Sequence, residues 1–209
     1  MTIEPLTPDR RRAMTRRHLL DAAAVVFSEH GFHGSTLDEV AKTAGFTKGA
    51  VYSNFTSKDD LFLALLDDRI DRQFAIVIEV LESIPHGQVQ QAPGMRDLLQ
   101  SGAVFSDDEW EMLSLEFMLY ARRNPEAAEK LAARAQRERE FVTQLMENEY
   151  AAVGTTPKYP VEELAVISLA IFAGLSTFRV INPGSVTATT IDTVLALLYD
   201  VMGVPDASE

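Results

Sequence analysis

The run from Ser35 to Phe55, STLDEVAKTAGFTKGAVYSNF, constrains this chain more than any other segment. It reads as two short helices joined by a tight glycine turn. Thr36 can cap the first helix, and Glu39, three residues on, can return the bond in a capping box. Leu37, Val40, Ala41 and Ala44 follow at i, i+3, i+4 and i+7, so one face of that helix is apolar. Gly45 stands where the chain leaves the helix, a position where a left-handed backbone favours glycine. Thr47 can cap the second helix, which turns Ala50 and Val51 inward and leaves Lys48, Gly49, Tyr52 and Ser53 outside. A helical hairpin with an exposed, partly basic second helix has the geometry needed to place that helix in the major groove of DNA.

The surrounding residues extend the pattern. From Arg16 to Asp68 the chain carries Ala22–Ala24, Phe27, Gly31 and Phe32, Thr36, Val40 and Ala41, Gly45, Lys48 and Gly49, Tyr52, Phe55, and Ser57 and Lys58. This spacing resembles the DNA-binding domain of the TetR family of bacterial regulators, over roughly the first third of the chain. The remainder resembles the family in length and helical organisation. The resemblance implies an all-α homodimer that binds a palindromic double-stranded DNA operator and a small-molecule effector, most often as a repressor. A transcriptional activator, or a helical interaction protein using the same hairpin, is the alternative.

The chain has 209 residues and a net charge of −12, which looks unsuited to a DNA partner. The charge is unevenly spread. Residues 1–60 hold eight Lys or Arg against eight Asp or Glu, and residues 61–209 hold eleven against twenty-three. A neutral N-terminal domain with basic residues at Arg10–Arg12 and at Arg16 and Arg17 can contact phosphates, and an acidic remainder would orient the molecule on DNA. There is no cysteine, hence no disulfide or thiolate metal site, and the first residues lack the apolar stretch of a signal peptide. The expectation is a cytoplasmic protein with no membrane partner and no cofactor.

Two domains are expected, residues 1–60 for the arm and helix-turn-helix, and 61–209 for ligand binding and dimerisation. Residues 1–9 read as a loose arm. The helices are expected at about 15–30, then the two short ones, then 57–84, 95–100, 107–123, 125–152, 161–181 and 187–202, nine in all, with His86–Gly94 as a loop and a helix end near Gly102. Ser57 and Asp60 cap the fourth, Ser106 or Asp107 opens the sixth, and Pro125 suits a first helical turn. The helix 161–181 is uncharged from Leu164 to Phe178, shorter than the roughly 20 apolar residues a bilayer requires. It therefore reads as a helix buried by its own subunit and by a partner. The resemblance implies dimerisation through the last two helices, here by Leu164, Ile167, Ile171, Leu175, Ile191, Val194, Leu195, Leu198 and Met202. An internal core is the alternative.

For DNA, the resemblance implies contacts from Thr36, Thr47, Lys48, Tyr52 and Lys58, with Gly49 allowing close backbone approach. Lys48 can reach guanine O6 and N7 or a phosphate, and Tyr52 offers a hydroxyl to a phosphate. Many relatives place His or Tyr where this chain has Asn54, which can donate to a phosphate or pair with adenine. Arg10–Arg12 read equally as a phosphate or minor-groove arm and as a solubilising tail. A candidate effector pocket collects Phe74, Trp110, Leu113, Glu116, Phe117, Tyr120, Met146, Tyr150, Phe172 and Phe178, with core packing as the plain alternative. Glu116 reads as an exposed residue, or, facing inward, as a selector of cationic ligands or a partner of Arg179. The four histidines lie at no metal-binding spacing, and no nucleophile elbow or phosphate-cradling glycine loop is present.

Overall fold

A computed structural model describes residues 7–86, 88, 93–101 and 108–203, and among them the chain forms nine α-helices and no strand. Helix α1 spans Pro8–Gly34, α2 Leu37–Thr43, α3 Lys48–Tyr52, α4 Lys58–Glu82 and α5 Pro93–Ser101. Helices α6 to α9 span Asp108–Ala121, Pro125–Val153, Val161–Ile181 and Ala188–Met202. The expected arm up to residue 6, most of the loop before α5, Gly102 as a helix end and the Ser106 or Asp107 cap lie outside the described residues. Helix α1 begins earlier than its apolar stripe suggests. Thr7 accepts a bond from Arg10 N and Pro8 occupies the first turn, so a polar segment is helical because it is capped. Gly31 interrupts α1 with φ of 71°, and one further turn follows before Ser35.

The chain divides into two compact units: Met1–Ile70 with Leu113–Leu131, and Asp71–Met112 with Ala132–Glu209. The division differs from a cut at residue 60, because half of α6 and the start of α7 pack with the N-terminal helices. The first unit is built on Leu19, Ala23, Val26, Phe27, Phe32, Val40, Val51, Phe55, Leu61, Phe62 and Phe117, each nearly or fully buried. Its centre is aromatic. Phe62 meets Phe27 edge-on at 5.1 Å and stacks on Phe117 at 4.7 Å, and Phe32 stands edge-on to Phe117 at 5.0 Å.

In the second unit, Met95, Leu98 and Leu99 of α5 pack with Ile191 of α9, and Val77, Val80, Leu81, Phe172, Leu175 and Leu195 close around them. Tyr150 donates to Met202 O at 2.7 Å, and Thr177 donates to Glu111 at 2.7 Å. Helix α8 is long and apolar enough by length and composition to cross a membrane, with a mean hydropathy of 2.1. Its buried side nevertheless includes Ser168 and Ser176, which suits a helix packed within a protein.

Several residues expected at a dimer interface belong to this core. Leu164, Ile191 and Leu198 are 2%, 3% and 8% exposed, and Leu175 and Leu195 pack on the α5 cluster. Ile171, Val194 and Met202 are half-buried. Of the nine, Ile167 alone is exposed, and it is joined by Val166, Phe178, Ile181 and Leu197, none of which the sequence reading assigned to an interface. The reason is that α8 is apolar all round, so its periodicity names no outer face.

Candidate nucleic-acid interface

Helix α3 has only five residues, too short to persist alone, and everything that fixes it comes from its neighbours. At its start the Thr47 hydroxyl accepts from Ala50 N at 3.3 Å. Beneath it, Val51 is fully buried, as the sequence pattern requires. Outward stand Thr47, Lys48, Gly49 and Tyr52, all exposed, with Tyr52 at 51%. Helix α2 is held by the expected capping box: Thr36 Oγ1 accepts from Glu39 N, and Glu39 accepts from Thr36 N at 2.8 Å. The same carboxylate accepts from the Thr36 hydroxyl, and these bonds hold it below the ordinary carboxylate range. Gly45 makes the turn at φ of 71°.

Lys48 is not isolated at the surface. Its ammonium lies 2.7 Å from the Asp38 carboxylate on α2, and that hydrogen bond raises its pKa above the usual lysine value. Asp38 is the residue the sequence reading missed here, because a ten-residue spacing across a turn has no local signature.

Two expected contact residues are arranged otherwise than their sequence roles imply. Lys58 turns into the first unit, where it donates to Phe32 O at 2.7 Å and Ser35 O at 3.0 Å, and lies over the Phe32 ring at 4.6 Å. Burial lowers its pKa, opposed by Asp59, Glu116 and Glu39. Asn54 turns its amide back onto its own helix, donating to Ala50 O at 2.8 Å and Ser53 Oγ at 3.3 Å. Carbonyls at the C-terminal end of a helix need donors; Lys58 serves the end of α1 and Asn54 that of α3.

Glu116 takes neither expected position. Its carboxylate accepts from Phe32 N at 2.9 Å and His33 N at 2.8 Å, so it caps the turn that restarts after Gly31. Lys58 holds the carbonyls of that turn, and a cation and an anion grip one short segment from opposite ends. Three other α6 residues of the candidate pocket are also committed to the first unit. Leu113 and Phe117 are in its core, and Tyr120 packs against Phe32 at 4.9 Å while donating to Asp59 at 3.0 Å. Burial, then Asp59, raises the Tyr120 pKa.

In the second unit Phe74 stacks on Phe141 at 4.6 Å, Trp110 and Tyr150 are buried, Met146 is half-buried, Phe172 borders the α5–α9 cluster, and Phe178 is exposed. Four of the ten candidates thus belong to the first unit and six to the second. A cleft of about 290 Å³ in the second unit is lined by Leu99, Gln100, Asp108, Arg179, Thr187 and their neighbours, none of which is among those ten.

At the far end of α3, two arginines of α1 reach its carbonyls. Arg12 donates to Ser53 O at 3.3 Å, and Arg16 donates to Asn54 O at 3.2 Å while its guanidinium lies 4.4 Å from the Phe55 ring centre.

A buried scaffold presenting one short, capped, exposed helix defines a helix-turn-helix domain. Residues 19–65 match the family described as bacterial regulatory proteins, tetR family. Over that segment the chain is similar to the TetR family. It is 31% identical over 121 residues to the transcriptional repressor AcnR of Corynebacterium diphtheriae, covering 58% of this chain and 57% of AcnR. It is 30% identical over 132 residues to the transcriptional regulator UidR of Escherichia coli, covering 63% of this chain and 64% of UidR. The match thus spans less than two thirds of either relative. Among solved structures, a TetR-family regulator from Rhodococcus sp. shares the fold with a TM-score of 0.72 at 19% identity, covering 91% of this chain and 98% of that one. FadR of Bacillus subtilis, solved with stearoyl-CoA, shares it with a TM-score of 0.63 at 17% identity, covering 88% and 98%.

Proposed function

We propose that this protein is a cytoplasmic, ligand-responsive transcriptional regulator, without catalytic activity, that binds a palindromic DNA operator as a homodimer and releases it when a small molecule binds the second unit. The observation that carries this reading is the exposed Lys48–Gly49–Tyr52 surface of α3 on a fully buried base. A two-fold dimer presents two such helices about 34–36 Å apart, the spacing of successive major grooves, and so reads a palindrome. Repression is the direction suggested by AcnR, which is named a repressor. The exposed α8 face at Ile167, Phe178 and Ile181, with Leu197 of α9, supplies the apolar area for a second copy.

Helix α4 has residues in both units, with Lys58 in the first and Phe74 in the second. A ligand that favours one position of the later turns of α4 would move its start, because packed helices shift as rigid units. DNA affinity then falls by the ligand's differential binding to the two states, and operator must weaken ligand binding by the same factor.

Selection of duplexes from a random pool tests the reading. Enrichment of a two-fold symmetric sequence is expected, and a pool that enriches nothing would refute it. With that duplex, Lys48→Ala should lose about tenfold or more in affinity and relax one operator position if Lys48 reads a base. Uniform weakening on all sequences would assign it to phosphate, and unchanged affinity would remove it from the interface.

A further inference from the structure

We infer that Arg12 and Arg16 of α1 are positioning residues for the DNA-reading helix, holding its C-terminal end at a fixed register instead of contacting DNA phosphates. The inference rests on the DNA-binding reading above but concerns residues to which that reading gives no such role.

A five-residue helix has almost no internal hydrogen bonding, so its orientation is set by what grips its two ends. The start is gripped by Thr47, and the middle by the buried Val51. The end exposes carbonyls that carry the negative pole of the helix. Ser53 Oγ and Asn54 Nδ2 both bond Ala50 O, one turn back, and the carbonyls of Ser53 and Asn54, just past the last helical residue Tyr52, accept from α1. Arg12 and Arg16, four residues apart on one face of α1, meet those two carbonyls at 3.3 and 3.2 Å. Arg16 is further fixed by stacking on Phe55, whose ring is 1% exposed and therefore immobile. Arg17, the next residue, instead pairs with Asp21 and with Asp68 at 2.7 Å. Arg10 and Arg11, exposed on the first turns of α1, remain for phosphate contact. The basic cluster thus divides its work, and its two inner members act on Tyr52 and Lys48 through the backbone.

Positioning and phosphate contact differ in what they change. A phosphate contact strengthens binding to every sequence and adds to the salt dependence. A positioning contact affects sequence-specific binding, because base edges demand a defined helix register. The test uses the full chain with Arg12→Ala and Arg16→Ala together, and a parallel Arg12→Gln and Arg16→Gln protein should the alanine form unfold. Affinity is measured for the selected operator and for a random-sequence duplex over a range of salt. The expected result is a roughly tenfold or greater loss on the operator, with little change in affinity or salt slope on the random duplex. Equal losses on both duplexes with a shallower slope would overturn the inference in favour of phosphate contact, and unchanged binding to both would overturn it outright. Amide hydrogen exchange of the DNA-free protein gives a second readout that survives failure of the DNA reading. Exchange across 50–56 should quicken by roughly tenfold in the variant while the α1 core is unchanged, since loosening the end of α3 exposes its amides. Unaltered exchange there would sink the inference whatever the protein binds.

Discussion

Asp38 and Lys48 form an ion pair on the surface that a nucleic acid would meet, and both side chains are more than half exposed. The carboxylate offsets the lysine charge and would repel phosphate at the same place. Replacing Asp38 by Asn should free a full positive charge. Binding to random duplexes should strengthen, and the slope of log affinity against log salt should steepen by about one. Parallel titrations of both proteins at several salt concentrations measure this, and an unchanged slope would show that Lys48 does not approach phosphate. Gly31 is the other residue whose identity is dictated. Its φ of 71° disfavours any side chain, and a Cβ would lie 2.9 Å from Glu116 Oε2. Gly31→Ala should therefore destabilise the protein by more than about 1 kcal/mol, read as a lower denaturant midpoint.

At the scale of elements, α6 is tied to α1 and α4 by both packing and charge. Phe117 is 1% exposed between Phe32 and Phe62, and its truncation to Ala leaves a cavity that few neighbours can fill. A loss of about 3–5 kcal/mol is expected in chemical denaturation. Glu116→Ala removes the acceptor for two backbone N–H groups and should cost about 1–3 kcal/mol. A cost near zero would mean that water replaces the carboxylate. Helix α9 adds a pH signature. Burial pushes the Tyr199 hydroxyl up to about 12, above its ordinary value of 10.0. Above pH 10 the unfolded chain ionises this group and the folded one does not. Stability that is complete below pH 10 should therefore fall as pH rises, levelling near 12. Tyr199→Phe should flatten that fall and remove the last phenolate to appear among the five tyrosines, read by absorbance.

For the whole molecule, the proposed dimer would bury the outer face of α8. Ile167, Phe178 and Ile181 are 43%, 61% and 72% exposed, so charged substitutions there leave the protomer core intact. Ile167→Glu with Phe178→Glu should convert a dimer into a folded monomer in sedimentation, with operator affinity reduced because each recognition helix then binds alone. Leu164→Ala, by contrast, should lower protomer stability by about 2–5 kcal/mol, since that residue is 2% exposed within the subunit. A dimer that persists in the glutamate variant would place the interface elsewhere.

The sequence alone determined the helical class, the nine helices among the described residues and the capped helix-turn-helix. Caps, prolines and left-handed glycines act within a few residues, so Thr36 with Glu39, Gly45, Thr47 and Ser57 announced their roles locally. The early start of α1 at Thr7 obeys the same local rules and was overlooked because that turn has no apolar stripe. Tertiary structure alone decided which charges serve the fold. Glu116 lies 84 residues from Phe32, Lys58 26 residues from the same peptide, and Arg12 41 residues from Ser53, separations over which no sequence period carries information. It also decided which side of α8 remains uncovered, since a helix apolar on every face acquires an inside and an outside only when its neighbours pack against it.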